Sequence, residues 1–339
     1  ITFPVSAYDF SNGHYICASS KSLFAQIVRV IMIFIGEEDV RHVLGYKELV
    51  EELRHMYCAD NMYAGRELLD LQSLGSASGT CMGLMPAYGP GHDITTKIFT
   101  LFPSNQAKGL PTITAVIIVF DSETGELTAV VDGIEVTKRR TSAMCALAST
   151  YMSREDSKSL LVRGSGALAP HAALAHAVVR PIKKIEIWAR RPDAAAETAN
   201  IVRADRPDID ISVSRDLKDS CSRADIVSCQ TSASYPIIFG DWISPGTHLD
   251  FVGSHDPQKR ECDDEVVRKG RIIVDVMETS MREAGDILIP IANGTIKKSD
   301  VLGDLSDLCR SRVLGRQTTD DITVFKSTGS SLADMAAAE

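Results

Sequence analysis

Residues 159–169 read Ser-Leu-Leu-Val-Arg-Gly-Ser-Gly-Ala-Leu-Ala, an apolar run that ends in closely spaced small residues. Gly164, Gly166 and Ala169 follow a G-x-G-x-x-A spacing with Ala167 between them, and an alanine- and histidine-rich helical pattern runs from Pro170 to Val179. The stretch is a strand, a tight turn and a helix. The first glycine makes the turn, the second lets a pyrophosphate approach the backbone, and the third small residue packs helix against strand. The helix start then offers free N–H groups and the positive end of its dipole to an anion.

Glycine spacing alone is a weak signal, so the context after it decides. Residues 184–188, Lys-Ile-Glu-Ile-Trp, read as the next strand of a βαβ unit. A carboxylate at the end of that strand would hold the ribose 2′-hydroxyl of NAD, but here Ala189, Arg190 and Arg191 follow. Arginines at that position suit a 2′-phosphate. NADP(H) is therefore the preferred expectation and NAD(H) the alternative, in which the arginines are a solvated strand end. Thr231 and Ser232 follow the short apolar run 226–229, and a small polar turn at the carboxyl end of a parallel strand lines a bound cofactor. His171 and His176 read as helix-surface residues. Arg163 stands where such strands carry a buried aliphatic side chain, and the sequence offers no reason for it.

The elements that must position these residues follow from periodicity. With 339 residues, 44% hydrophobic and 24% charged, the chain is long enough for two domains with a sizeable core. Its net charge of −9 argues against nucleic acid as a partner. The eight cysteines are scattered with no C-x-x-C pair, which points to reduced thiols in the cytoplasm and no metal site. The one membrane-like run, residues 23–35, is interrupted by Gln26 and Arg29 and is too short to span a bilayer. Residues 1–29 lack periodicity and read as an extension of uncertain status, with Met32 as a natural start.

Residues 30–35 form a first strand, and 37–60 carry apolar residues at helical spacing that break near Gly45. Residues 67–151 then change to strands at 68–74, 80–88, 95–102, 112–121 and 127–132, with a hairpin signal at 121–125. This texture predicts a largely antiparallel sheet with helices. A helix over 141–152 leads into the nucleotide-binding unit. After it, strands at 209–213, 226–229, 248–252 and 272–274 alternate with helical intervals at 216–222, 263–269 and 279–284. That alternation predicts a doubly wound parallel sheet. A last strand, 322–325, and an alanine-rich helix after Gly329 could return to the first domain.

Several phrases resemble one family in order along the chain: Met85-Pro-Ala-Tyr88, Thr95-Thr-Lys97, Asn105-Gln-Ala-Lys-Gly-Leu-Pro111, Asp132-Gly133, Lys138-Arg-Arg-Thr141, the glycine turn, Gly285-Asp-Ile-Leu-Ile289 and Asp321-Ile-Thr-Val-Phe-Lys-Ser327. They resemble the ornithine cyclodeaminase/mu-crystallin family over about residues 30–338. The resemblance implies an α/β chain with a Rossmann-type domain over 141–317. It also implies a mixed α+β substrate-binding and dimerisation domain over 30–140 with 318–339, a homodimer, and an active site between the domains. Its enzymes act with a nicotinamide cofactor on an imine or amine beside a carboxylate.

Reducing a cyclic ketimine requires a held carboxylate, an imine carbon presented to the nicotinamide, and a protonated nitrogen. Converging cations serve this, since a guanidinium binds a carboxylate through two parallel hydrogen bonds. Arg140 matches the family's carboxylate-binding arginine and Lys97 its active-site lysine, as second carboxylate partner or as proton donor. A further family arginine precedes the Met-Pro-Ala-Tyr strand, where the spacing does not match cleanly and Arg66 is the nearest candidate. In the loop 253–261, cyclodeaminases carry an aspartate; His255 stands at that count, with Asp256 beside it. Two roles are open to Lys326, closure over the nicotinamide or a structural salt bridge.

The resulting expectation is NAD(P)H-dependent reduction of a small cyclic ketimine carboxylate, foremost Δ1-pyrroline-2-carboxylate to L-proline. An ornithine cyclodeaminase with catalytic NAD is the alternative; it needs an acid in the His255–Asp256 loop. A non-enzymatic, mu-crystallin-like ligand-binding protein is a third. The partners expected are the small imino acid and a second copy of the chain, with neither nucleic acid nor membrane.

Overall fold

The computed structural model describes residues 8–9, 14–15, 32–71 and 79–339. Apart from a short antiparallel pairing of Tyr8–Asp9 with His14–Tyr15, the expected extension 1–29 lies outside the described residues, as do most of the apolar run 23–35 and the end of the strand expected at 68–74. The chain divides into two units, one of residues 1–43, 60–137 and 338–339, the other of 44–59 and 138–337.

The first unit is a seven-stranded sheet. Its strands are β1 (Ile33–Ile35), β2 (Tyr63–Ala64), β3 (Glu67–Asp70), β4 (Cys81–Tyr88), β5 (Ile94–Leu101), β6 (Ile113–Phe120) and β7 (Leu127–Asp132). They run in the order β1-β7-β6-β5-β4-β2, with β3 also paired to β4. All pairings are antiparallel except that of β1 with β7. Period-two alternation buries one face, through Met85 and Ala87 on β4, Ile117 and Val119 on β6 and Val131 on β7. The helical stretch expected over 37–60 is two helices, Glu37–Val43 and Tyr46–Cys58, parted at Leu44 and Gly45.

The helix expected from residue 141 begins at Gly133 and runs to Met152. Asp132 ends β7 and caps the helix, its Oδ1 accepting from the Glu135 N–H at 2.7 Å. A Cβ on Gly133 would lie 2.7 Å from the Ala115 backbone, so glycine permits this direct passage from strand to helix. The β-branched Ile134, Val136 and Thr137 hide the start from propensity alone. Arg140 consequently lies within a 20-residue helix.

The second unit is an eight-stranded parallel sheet. Its strands are β8 (Ser159–Arg163), β9 (Lys184–Trp188), β10 (Asp210–Val213), β11 (Ile226–Cys229), β12 (His248–Phe251), β13 (Gly270–Val274), β14 (Val301–Asp304) and β15 (Ile322–Lys326). The order is β10-β9-β8-β11-β12-β15-β13-β14, doubly wound with its switch point between β8 and β11. Successive residues of β8 enter opposite cores. Leu160 and Val162 pack with Ala173 and Ala199 of the helices Ala169–Val179 and Pro192–Asp205, while Leu161 packs with Cys221, Val227 and Val266.

Residues 318–339 differ from the expected domain boundary. β15 sits inside the parallel sheet between β12 and β13, and residues up to Ala337 belong to the second unit. Thr323, Val324 and Phe325 are buried in succession, with Ile322 half-buried before them, and burial of successive residues is what a central parallel strand requires. β14 and the helices Gly285–Ala292 and Leu305–Cys309 were not anticipated. His176 is a second correction, since it is not a helix-surface residue. It is fully buried, with its Nε2 2.6 Å from Asp250 Oδ2 on β12, because it lies on the buried side of its helix with Ala172, Ala173 and Ala175.

Candidate functional site

The glycine turn lies at the switch point. Gly164 adopts φ +144, its N–H bonds the Trp188 carbonyl at 2.9 Å, and a Cβ there would meet the Gln230 carbonyl at 2.8 Å. Gly166 has nothing within 4 Å of where its Cβ would stand, so space remains open over the turn. Ala169 is wholly buried at the start of the helix Ala169–Val179, whose N-cap, Leu168, supplies no side-chain hydrogen bond. An open glycine surface beside an uncapped eleven-residue helix fits a pyrophosphate. Ala167 completes the turn.

Arg190 and Arg191 follow β9 and are exposed. Arg163 acquires an explanation. Its guanidinium carbon lies 4.7 Å over the Trp188 ring, and it is 7% exposed. Burial pushes its pKa down, opposed by the Cys229 and Glu261 groups and reinforced by Arg190. Thr231 and Ser232 stand at the carboxyl end of β11. Both the N–H and the hydroxyl of Thr231 donate to Glu261 Oε1, at 2.8 and 2.7 Å.

Glu261 belongs to a buried charged cluster behind this edge. Its Oε2 accepts from the Gly253 N–H at 2.7 Å and so ties together the ends of the loop 253–261. Lys326, 0% exposed, lies 3.0 Å from Asp286 Oδ2, and Asp286 Oδ1 accepts from the N–H groups of Glu261 and Cys262 at 2.7 and 3.1 Å. Burial and Asp286 push the Glu261 carboxyl up against the pull of Lys326, while the two carboxylates hold Lys326 above its ordinary value despite its burial. The salt-bridge role for Lys326 is thus present in the fold. Within the loop, His255 is exposed and Asp256 half-buried, with its Oδ1 accepting from the Gln258 N–H at 2.9 Å and its Oδ2 3.4 Å from Lys259 Nζ.

Arg140 is 3% exposed and donates from Nε to Asp334 Oδ1 at 2.8 Å, while its Nη1 is buried with no hydrogen-bond partner among the described residues. Buried donors are normally satisfied.

In the first unit, Arg66 and Lys97 come together along one row of the sheet. Met85 pairs with Lys97, Lys97 with Ile117, and Ile117 with Val131, all on the buried face. Arg66 lies between the register points Ala64↔Ala87 and Glu67↔Leu84, and its Nη2 is 4.0 Å from the Met85 sulfur. Lys97, 3% exposed, reaches the Thr137 hydroxyl at 3.4 Å and the Phe99 ring centroid at 5.7 Å. A cation at a core position of an alternating strand is the pattern expected of a functional lysine.

Asp275, Glu261, Asp286 and Asp334 escaped the reading of the sequence. Asp334 carried a visible signal, a single acid in the otherwise uncharged helix Ser331–Ala338. Asp286 lies within one of the phrases that carried the resemblance. Among the described residues, no cluster of His, Cys, Asp or Glu could hold a metal ion, and no helix is long and apolar enough to cross a membrane.

Comparison with known proteins adds to this geometry. The Δ1-pyrroline-2-carboxylate reductase of Paracoccus denitrificans is 36% identical over 303 residues, covering 89% of this chain and 93% of its own. The structure of Thermococcus litoralis Δ1-pyrroline-2-carboxylate reductase with NADH and L-proline superposes with a TM-score of 0.86 at 28% identity, over 91% of this chain and 95% of that one. An archaeal alanine dehydrogenase dimer with bound NAD follows at a TM-score of 0.82 and 27% identity, covering 91% of this chain and 93% of that one.

 The ornithine cyclodeaminase/mu-crystallin family model matches residues 73–339, and the chain belongs to that family.

Proposed function

We propose that this protein reduces a small cyclic ketimine carboxylate with a nicotinamide cofactor, foremost Δ1-pyrroline-2-carboxylate to L-proline, with NADPH preferred over NADH. The observation that carries the reading is Arg140, buried, ion-paired through Nε and left with an unpartnered Nη1. The substrate carboxylate is the acceptor that completes it. The name borne by the Paracoccus relative and the NADH and L-proline of the Thermococcus complex support the same chemistry.

When bound, the reduced nicotinamide supplies the hydride that reaches the imine carbon. Gly164, Gly166, Ala167 and Ala169 hold the pyrophosphate, Thr231 and Ser232 line the edge beside it, and Arg190 with Arg191 takes the 2′-phosphate. Lys326 acts from behind, keeping Glu261 and therefore Thr231 in place. Arg140 binds the carboxylate with Arg66 in support. Lys97 keeps the imine nitrogen protonated, so that the arriving hydride leaves a neutral amine rather than an anion. His255 or Asp256 is the second group placed to govern that proton. A homodimer in the cytoplasm is the assembly and setting proposed.

The test is oxidation of NADPH by the purified protein with Δ1-pyrroline-2-carboxylate, with NADH in parallel and with ornithine plus NAD assayed for ammonia. Turnover that is faster with NADPH and releases no ammonia from ornithine is the expected result. Ammonia and proline from ornithine without net cofactor change would replace the reading with a cyclodeaminase.

A further inference from the structure

We infer that Asp334 is a positioning residue for Arg140, and that Asp275 sets Asp334 by locking the turn before its helix. The inference rests on the proposed role of Arg140.

The arrangement begins at the carboxyl end of β13. Asp275 is 1% exposed, and both its oxygens are saturated. Oδ2 accepts from the N–H groups of Thr328 and Gly329 at 2.7 and 2.6 Å and from the Ser327 hydroxyl at 2.9 Å. Oδ1 accepts from the Val276 N–H at 2.8 Å and from the Ser280 and Thr328 hydroxyls at 3.2 Å each. Three consecutive residues of the turn 327–329 are thus gathered on one carboxylate. Gly329 takes φ +93, and two residues later the helix Ser331–Ala338 begins.

Asp334 sits in that helix, 1% exposed, with Oδ1 on Arg140 Nε. An acid placed on Nε fixes the plane of the guanidinium and leaves its terminal nitrogens for a second carboxylate. The Nη1 that lacks a partner is one of these. The pair is also neutral as a whole, so the incoming carboxylate meets oriented donors rather than an excess of positive charge.

The test is a double-mutant cycle on the full chain with Asp334→Asn, Arg140→Gln and both together, reading KM for Δ1-pyrroline-2-carboxylate, KM for NADPH and thermal midpoint. Asp334→Asn should raise the imine KM roughly ten- to hundredfold while leaving the NADPH KM within about twofold. In the Arg140→Gln background the same change should have little further effect. An unchanged imine KM in Asp334→Asn, or an equal effect with and without Arg140, overturns the inference. Unchanged kcat/KM in Arg140→Gln alone overturns instead the role of Arg140. If Asp334→Asn does not fold, Asp334→Glu keeps the charge but displaces it by one methylene, and the same split between imine and NADPH KM is required of it.

Discussion

Two buried lysines, one in each unit, show how differently a cation can be used. Lys326 lies at the end of a parallel strand, 3.0 Å from Asp286 and under the influence of Glu261, and these carboxylates hold it charged. Lys97 lies at a core position of an antiparallel strand, between Met85 and Ile117 in the row that includes Val131, and it reaches a threonine hydroxyl. The first is embedded in a charge cluster whose hydrogen bonds close a loop. The second stands in a row of core positions, beside a hydroxyl and an aromatic ring. Burial alone therefore does not fix how a lysine is used; the chemistry of its neighbours sets its charge and its surroundings.

The comparison is broken or sharpened by substitution. Lys97→Met should lower kcat by roughly 10²–10⁴, with a smaller loss of stability than the equivalent change at Lys326; steady-state kinetics and thermal melts together check it. Lys326→Met leaves Glu261 and Asp286 facing one another in the core and should cost about 3–5 kcal/mol, seen as a lower midpoint in denaturant. If the two variants exchange these signatures, the assignment of the lysines is reversed. Arg140→Ala should cost about 2–4 kcal/mol in kcat/KM if its carboxylate contact is desolvated, and near-unchanged kcat/KM would remove it from the site.

Two smaller effects concern the parallel sheet. His248 is fully buried, with Nε2 3.1 Å from Asp250 Oδ1 and Nδ1 2.9 Å from the Thr323 hydroxyl. Burial lowers its pKa below the ordinary 6.5 against the pull of Asp250. Burial would raise Asp250, but His176 and His248 hold it well below the usual carboxylate range. Both folded-state values are depressed, so the unfolded chain binds more protons as pH falls. Stability is then complete above about pH 6.5 and declines below it, by up to about 1.4 kcal/mol per pH unit for each group titrating. Thermal melts between neutral pH and pH 5 should show the decline, and His248→Gln should flatten its upper part. Arg190→Ser should raise the KM for NADPH about tenfold, worth about 1.4 kcal/mol, with little change for NADH; equal effects on both cofactors would leave the arginine as a solvated strand end.

Local pattern made much of this chain legible. The glycine turn, the alternation of strands and helices after it, and the break at Gly45 are all short-range features, written in residues a few positions apart. Gly164 is a good case, because its φ and its approach to Gln230 demand the residue that the spacing announces. The start of the helix at Gly133 was not legible, since it depends on a glycine fitting against Ala115 in a neighbouring strand. Arg163 was an anomaly until Trp188 was seen beneath it.

The sequence by itself determined the fold class, the glycine turn between strand and helix and the identity of the cations. Each of these depends on spacing within one element or on residue type. Only the tertiary structure decided where residues 318–339 go, which histidines are buried, and which acids serve which cations. Those answers depend on contacts between positions such as Arg140 and Asp334, or His176 and Asp250, which lie far apart in the chain and share no local pattern. Burial then gives such pairs their force, because away from water a charge must find its partner within the fold or receive it from a ligand.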